Sequence, residues 1–391
     1  MSIQGKSVKS HKKFKKFTKL WAVLYLIALA CFETIILLTN FVPTKYMVGG
    51  AAMLGIISLM LFVLLYIHSV KSSVKVVAFI LSFLLITAYI IGSAYAIKTD
   101  TFLDKVSKNK SKNATAVTTK PFNVYVSGMD TGGKISGKGR SDVNMIITVN
   151  PKTHKILMTS IPRDYQIKLK NKGGATDKLT HSGLYGIKTT ISSVEELTGI
   201  KINYYIKVDY STLYQLVESI GGIYVESDYE FRSYIGHYHF YNGKNHLNGH
   251  EALAFARERQ AFKEGDVQRT KNQQKVLSAI INKLTSSTTL LTKYNKILNS
   301  IDDYIDMDFT PTEVKALVKM QLDGKQKWTI EHNTITGFDS MQSTYSQGAQ
   351  KLYVMSVDEE SVKRAAEKIH NVMYPEDKKK GSKKNKEADD N

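Results

Sequence analysis

The chain has 391 residues and a formal net charge of +19 at pH 7. Surplus Lys and Arg is the usual footprint of phosphate binding, so composition alone admits nucleic acid as a partner. The only cysteine, Cys31, lies in an apolar stretch near the amino terminus. This excludes disulfides, thiolate zinc sites and a cysteine nucleophile from the rest of the chain.

Three apolar stretches follow the amino-terminal tail, at residues 20–42, 47–70 and 76–97. With a rise of about 1.5 Å per residue, each is long enough for the roughly 30 Å core of a bilayer. We therefore predict three transmembrane helices within residues 20–97. A cleaved signal peptide is the alternative for the first stretch, but its apolar run is too long and no small-residue cleavage site is evident.

Lysine placement predicts the orientation of these helices. Residues 1–19 contain seven lysines and no acid, and the second hairpin carries Lys71 and Lys75, against Lys45 alone in the first. Because Lys and Arg accumulate in cytoplasmic segments, we expect a cytoplasmic basic tail at 1–19 and export of everything after Ile97. Export argues against nucleic acid as a partner, and a domain without disulfides is typical of a Gram-positive-type cell surface.

The remaining residues divide by composition into a linker at 98–120, a domain at 121–376 and a disordered charged tail at 377–391. β-branched runs predict strands at 123–128, 144–149, from Lys155 onward, at 203–208 and at 222–226, and "NPKT" at Asn150 predicts a hairpin. Helices are predicted at 188–198, 210–219, 250–259, 266–285, 287–299 and 311–322. The predicted fold class is α/β: three transmembrane helices, then one extracellular α/β/α domain with a central mixed sheet.

Two aspartates bracket a glycine-rich loop, "SGMDTGGKISGKGRSD". Asp130 ends one predicted strand and Asp142 begins the run into the next. Adjacent strands would bring both carboxylates to one sheet edge, where they can bind Mg²⁺ together with water and substrate phosphates. Two loop aspartates that cap turns are the alternative.

Arginines cluster in two further segments. Arg163 and Asp164 follow the third predicted strand, and "FARERQAFKEGDVQRTKNQQ" at 255–274 adds others. Guanidinium groups match phosphate oxygens bidentately, so the cluster favours a diphosphate site. A solvated helix face and a nucleic-acid patch are the alternatives. The charged and amide residues of interest in this stretch are Arg257, Arg259, Asp266, Arg269 and Gln273.

Three blocks of sequence together resemble the LytR-CpsA-Psr family of bacterial wall-polymer ligases. They are "NVYVSGMD", "GRSDVNMIITVNPKTHKILMTSIPRDY" and "LNGHEALAFARERQ" with "GDVQRTKNQQ". The three preceding spans look like those of the capsule-associated members. The resemblance implies transfer of an anionic glycopolymer, capsular polysaccharide or teichoic-acid-like, from an undecaprenyl-diphosphate carrier to muramic acid of peptidoglycan, at the outer face of a cell membrane. Partners would be that lipid-linked polymer, peptidoglycan and membrane lipids, with no nucleic acid.

The same resemblance implies roles for individual residues. Asp130 and Asp142 would bind Mg²⁺, with Mn²⁺ as a substitute. Asp266, Arg269 and Arg163 would be catalytic, Asp266 as general base or as the orienter of the arginines. The diphosphate pocket would contain Arg140, Arg163, Arg257, Arg259, Arg269 and Gln273. Two positions depart from the family pattern: Val143 stands where a threonine is common, which bears on acceptor contacts, and Asn272 replaces a frequent arginine, which bears on pocket charge.

Two other functions remain open on sequence alone. A lipid diphosphate pyrophosphatase would use the same site with water as the acceptor. A membrane-bound regulator of polysaccharide or envelope genes would need a cytoplasmic DNA-binding domain, and only residues 1–19 precede the first span.

Overall fold

A computed structural model describes residues 3–40, 42–106, 114–130, 138–286, 297, 304–324 and 326–375. The chain forms two compact units. The first comprises Met1–Phe102 with Val318–Asp323, and the second comprises Leu103–Leu317 with Gly324–Asn391.

The amino-terminal helices are α1 (Ile3–Thr39), α2 (Thr44–Tyr66) and α3 (Ser72–Val106). Within them, Lys16–Thr39, Thr44–Tyr66 and Ser72–Thr101 are long and apolar enough to cross a membrane. Helix α3 continues past the predicted boundary at Ile97, to Val106. A short helix, α4 (Ala114–Thr119), begins the second half of the predicted linker.

The second unit alternates strands and helices as the sequence predicted. Its strands are β1 (Phe122–Met129), β2 (Ser141–Asn150), β3 (Lys155–Ser160), β4 (Gln166–Leu169), β5 (Ala175–Lys178), β6 (Tyr204–Asp209), β7 (Ile223–Ser227), β8 (Phe231–Arg232), β9 (His239–Phe240), β10 (Gly243–Leu247), β11 (Ile305–Met307), β12 (Thr329–Thr334), β13 (Gly337–Thr344) and β14 (Gly348–Val357). Its helices are α5 (Leu179–Ser182), α6 (Ile187–Thr198), α7 (Tyr210–Ile220), α8 (Gly249–Arg257), α9 (Asp266–Leu284) and α11 (Glu359–Met373). A further helix, α10 (Pro311–Gly324), is divided between the units, because its residues Val318–Asp323 belong to the first. The predicted helix at 287–299 falls almost wholly outside the described residues.

The central sheet has the strand order β11-β6-β1-β2-β3-β12. Strands β1 and β2, and β2 and β3, pair antiparallel, whereas β1 pairs with β6 and β3 pairs with β12 in parallel. The predicted mixed sheet and the hairpin at Asn150 are therefore confirmed. The strand predicted at 222–226 exists as β7, but it pairs with β10 in a separate two-stranded sheet.

Helices cover both faces of the central sheet. On one face, Tyr125 and Ile146 belong to a buried cluster with Val194 of α6 and Val362 of α11. On the other face, Oγ of Ser278 in α9 lies 3.5 Å from Sδ of Met158. This places the carboxyl end of β1 and the start of β2 between helix layers, at an edge that α8 and α9 border.

A buried aspartate fixes the tip of the β13–β14 hairpin to the domain. The fully buried carboxylate of Asp177 lies 2.7 Å from Nδ1 of His181, and it accepts hydrogen bonds from Ser346 N at 2.9 Å and from Ser346 Oγ at 3.1 Å. Burial raises the pKa of Asp177, but hydrogen bonds from His181, Lys178 and Ser346 outweigh it, so the pKa is lowered.

This lowered pKa predicts how acid affects stability. A depressed pKa in the folded state adds stability that is present above the ordinary value of 3.8 and is lost as pH falls through the folded pKa. We expect Asp177→Asn to cost about 2 kcal/mol at neutral pH, because charge-assisted hydrogen bonds are lost. Thermal unfolding of the full chain in detergent should also show a shallower loss of stability below pH 4 in the variant. If the loss of stability below pH 4 were the same in Asp177→Asn as in the wild type, the lowered pKa of Asp177 would be contradicted.

Candidate active site

The two aspartates predicted to bind a cation do lie at one sheet edge. Asp130 directly follows β1 and Asp142 is the second residue of β2, and the antiparallel register pairs Met129 with Ser141. Residues 131–137 of the intervening glycine-rich loop lie outside the described residues.

Arg163 follows β3 and is held by carboxylates. Its Nη1 donates to Oδ1 of Asp142 at 2.9 Å, and its Nε lies 3.5 Å from Asp164 Oδ2 and 3.8 Å from Asp266 Oδ1. Burial lowers the pKa of Arg163, but the three aspartates outweigh it and raise the pKa overall. The guanidinium therefore carries a fixed positive charge at the sheet edge.

A buried carboxylate shapes the loop after α8. Glu258 is only 3% exposed, and its Oε1 accepts the backbone N–H groups of Arg259, Gln260 and Ala261 at 3.0, 2.7 and 2.9 Å. These three hydrogen bonds hold the backbone of residues 259–261 in a turn around the Glu258 carboxylate. They fix the backbone position of Arg259, which lies two residues after Arg257, the last residue of α8.

Helix α9 contributes a paired aspartate and arginine. Gly265, with a φ of +50°, turns the chain so that Asp266 is the first helical residue. Asp266 Oδ1 lies 2.6 Å from Nη2 of Arg269, whose side chain is 8% exposed. Burial and the neighbouring Arg163 lower the pKa of Arg269, which Asp266 partly opposes. A guanidinium nonetheless stays charged at neutral pH.

These elements enclose one cleft of about 230 Å³. Four arginines face it, against two carboxylates. Among the described residues that line the cleft, Nε of Arg163 and Nε of Arg269 are buried with no hydrogen-bond partner. Buried donors without partners are costly, so the cleft is built for an anion with several oxygens. The lining residues are Asp142, Arg163, Tyr210, Tyr234, Ile235, Ala254, Arg257, Glu258, Arg259, Gln260 and Arg269.

Four predicted site residues are not among those that line the cleft. Asp130 contacts it through Arg257, whose Nη2 donates to Asp130 Oδ2 at 3.0 Å. Asp266 contacts it through Arg269. Gln273 is half-buried on α9, and Arg140 is exposed just before β2. The phosphate-binding roles of Arg140 and Gln273 stay predictions.

Sequence reasoning missed Tyr210, a central residue of the cleft. The guanidinium carbon of Arg257 lies 4.5 Å from the centroid of the Tyr210 ring. Burial raises the pKa of Tyr210 to about 12, with Asp142 adding to it, so the hydroxyl is neutral at physiological pH. Tyr210 directly follows β6, the parallel neighbour of β1, and this position at a strand end was the available signal.

The departure from the family pattern at Asn272 has a structural explanation. The side chain is buried, and its Nδ2 donates to the carbonyl oxygen of Phe255 at 3.2 Å. Asn272 therefore joins α9 to α8 and adds no charge to the cleft.

The donor set at the sheet edge is compatible with a magnesium ion. Among the described residues, no group of three or more His, Cys, Asp or Glu side chains is arranged to hold a metal. Mg²⁺ commonly takes only one or two carboxylates and completes its shell with phosphate oxygens and water. Asp130 and Asp142 can supply those two carboxylates beside an anion in the cleft.

Known proteins share both the sequence and the fold of this region. A polyisoprenyl-teichoic acid–peptidoglycan teichoic acid transferase, TagU of Bacillus mycoides, is 34% identical over 226 residues, which is 56% of this chain and 72% of that protein. The crystal structure of B. subtilis TagV matches 65% of this chain and 97% of its own, with 28% identity and a TM-score of 0.53. A structure from Enterococcus faecalis described as a transcriptional regulator matches 67% of this chain and 90% of its own, with 27% identity and a TM-score of 0.55.

The family model of the LytR_cpsA_psr family matches residues 86–369, which include the cleft and every strand of the central sheet. The resemblance seen in the three sequence blocks is therefore confirmed, and the chain belongs to the LytR_cpsA_psr family.

Proposed function

We propose that the chain transfers an anionic glycopolymer from a polyprenyl-diphosphate carrier to peptidoglycan, with formation of a phosphodiester. The observation that carries this proposal is the convergence of Arg163, Arg257, Arg259 and Arg269 on one cleft beside two aspartates. The similarity to a protein named as a teichoic acid transferase supports the same substrate class.

The cleft residues supply electrostatic stabilisation in the proposed reaction. An acceptor hydroxyl oxygen attacks the phosphorus atom attached to the polymer, the bond between that phosphorus and the bridging oxygen breaks, and the carrier leaves as a monophosphate. Negative charge increases on the leaving phosphate, and preorganised guanidinium groups stabilise it without reorganisation. The acceptor proton leaves to a base or to water.

Asp266 serves as an orienter in this proposal. Its Oδ1 is 2.6 Å from Arg269 and 3.8 Å from Arg163, so it sets the spacing of two guanidinium groups. Asp266 thus contacts two cleft-lining arginines without being one of the lining residues itself.

Asp130 and Asp142 would hold Mg²⁺, or Mn²⁺ in its place. The ion would neutralise diphosphate oxygens as a Lewis acid. The protein residues around it have separate tasks: Arg163 fixes Asp142, and Arg257 fixes Asp130.

The orientation of the membrane helices belongs to the same proposal. The lysine bias supports a cytoplasmic position for residues 1–19 and an extracellular position for the cleft, where lipid-linked polymer and peptidoglycan meet. Protease added to intact protoplasts should cleave within residues 121–375. Protection of that region would favour a cytoplasmic, regulatory role.

A product assay tests the transfer. The full chain in detergent is incubated with lipid-linked polymer, peptidoglycan and Mg²⁺, and the wall fraction is digested and analysed by mass spectrometry. Transfer predicts a muramic acid fragment joined to polymer through one phosphate. Release of free polymer phosphate with no conjugate would identify a pyrophosphatase.

The contact between Tyr210 and Arg257 predicts a contrast between two substitutions. Tyr210→Phe keeps the aromatic ring under the guanidinium, whereas Tyr210→Leu removes it. A partly desolvated cation–π contact stabilises by about 1–2 kcal/mol, so we expect Tyr210→Leu to reduce kcat/KM about tenfold and Tyr210→Phe to retain most of it. Equal losses in the two variants would show that the hydroxyl, and not the ring, matters.

A further inference from the structure

Two exposed apolar side chains line the arginine cleft. Tyr234 is 63% exposed and Ile235 is 49% exposed, and both lie in the turn between β8 and β9. Exposed apolar groups beside four guanidinium groups do not contribute to core packing. They are instead typical of a surface that contacts a ligand.

Hydrogen bonds hold this turn in a defined conformation. Ser233 N donates to Tyr238 O at 2.9 Å, and Tyr238 N donates to Ser233 Oγ at 3.0 Å. Arg232 Nε donates to the carbonyl oxygen of His237 at 2.8 Å, and His237 has a φ of +52°. A turn bonded across both sides presents its side chains with little loss of conformational entropy on binding.

The turn is also fixed relative to the arginines. The backbone N–H of Tyr234 donates to Oε2 of Glu258 at 2.6 Å, and the other oxygen of that carboxylate organises the loop after α8. The rings of Phe231 and Phe240 pack 4.9 Å apart, and Phe240 packs 5.2 Å from Phe255 in α8. A polar and an aromatic contact therefore couple the hairpin to the arginine-bearing end of α8.

We propose that Tyr234 and Ile235 bind the face of the pyranose ring next to the phosphate in the cleft. This rests on the proposed function for the identity of the sugar phosphate. A sugar that is joined to a phosphate through one oxygen lies directly next to that phosphate. With the phosphate bound by the arginines, the sugar would contact the residues that border the guanidinium groups. The C–H groups on a pyranose face match an aromatic ring, and its hydroxyls match the polar tip of Tyr234.

Two substrates present such a ring: the first sugar of the lipid-linked donor, and the acceptor sugar of peptidoglycan. A prenyl chain is a poorer occupant, because it gains most from an enclosed dry groove and Tyr234 is largely exposed.

Equilibrium binding to the full chain in detergent, with Mg²⁺ present, tests the proposal with three probes. They are farnesyl diphosphate, farnesyl diphosphate carrying one N-acetylglucosamine, and a soluble peptidoglycan disaccharide added with farnesyl diphosphate. We expect Tyr234→Ala to weaken one of the two sugar-bearing probes about tenfold and farnesyl diphosphate by less than about twofold. The sugar-bearing probe that binds more weakly shows whether the pyranose ring belongs to the donor or to the acceptor. Tyr234→Phe, which keeps the aromatic ring, should bind that probe as the wild type does.

Tyr224→Ala is the matched control. Tyr224 is 57% exposed in β7 and does not line the cleft, so its substitution should leave all three probes unchanged. If Tyr234→Ala weakens the binding of all three probes equally, the Tyr234 side chain contacts the prenyl tail or supports the cleft. If it weakens none of them, Tyr234 has no part in binding. Both results overturn the proposal. Sugar-selective weakening in a protein that forms no conjugate would instead refute the proposed transfer and leave the sugar site standing.

Discussion

Arg269→Lys is expected to lower kcat for polymer transfer about 10²- to 10³-fold, the loss seen when one preorganised charge-stabilising donor is removed. The Arg269 side chain is 8% exposed and is bonded to Asp266 at 2.6 Å. Lysine keeps one positive charge, but it cannot bond Asp266 and a phosphate oxygen in the fixed fork of a guanidinium. Initial rates of conjugate formation measure the loss.

A matched control shows whether the loss is specific to the position of Arg269 or follows from any Arg→Lys substitution. Arg364 in α11 is 59% exposed and lies far along the chain from the cleft residues, so Arg364→Lys should keep wild-type rates. A loss confined to Arg269→Lys supports charge stabilisation in the cleft. Retention of most of the rate in Arg269→Lys would mean that a point charge is sufficient there.

Asp142→Asn is expected to reduce transfer by a similar factor, about 10²- to 10³-fold. The substitution keeps the side-chain volume but removes a charge that Arg163 contacts at 2.9 Å. Arg163 would then lose its closest partner, and the proposed cation would lose one of two protein carboxylates. We therefore also expect activity to require a higher Mg²⁺ concentration, measured by titration of the metal in the transfer assay.

Asp228→Asn is the control for this change. Asp228 forms an ion pair with Lys275 at 2.7 Å but is 55% exposed and does not line the cleft. Its substitution should alter neither the rate nor the Mg²⁺ dependence. An Asp142→Asn variant with a reduced rate and an unchanged Mg²⁺ titration would show that Asp142 acts through Arg163 alone.

The central sheet and its aspartates were predictable because they depend on local signals. The β-branched runs and the turn at Asn150 specify a hairpin, and a hairpin next to β1 necessarily brings Asp130 and Asp142 to one edge. Strands β11 and β12 were not predicted. Strand β11 has only three residues, and β12 is polar except at Ile330, so neither has a clear apolar pattern.

The cleft's supporting residues were harder to predict, because their roles arise from contacts distant in sequence. Glu258 looks like an ordinary acid between two arginines, yet it is buried and bonded to backbone N–H groups, including that of Tyr234. Strands β8 and β9 have two residues each, too few to show a period. Tyr210 becomes important only when the parallel pairing of β6 with β1 places it beside Arg257.

The fate of the donor's two phosphates tests the central claim most directly. A lipid-linked polymer labelled with ³²P only in the polymer-proximal phosphate is incubated with the full chain, Mg²⁺ and peptidoglycan, and the wall and lipid fractions are counted. Transfer predicts that the label enters the wall, in a bond that joins polymer to muramic acid, and that unlabelled carrier monophosphate is released. Label that stays on soluble polymer while carrier monophosphate accumulates would contradict the account, because water would then be the acceptor.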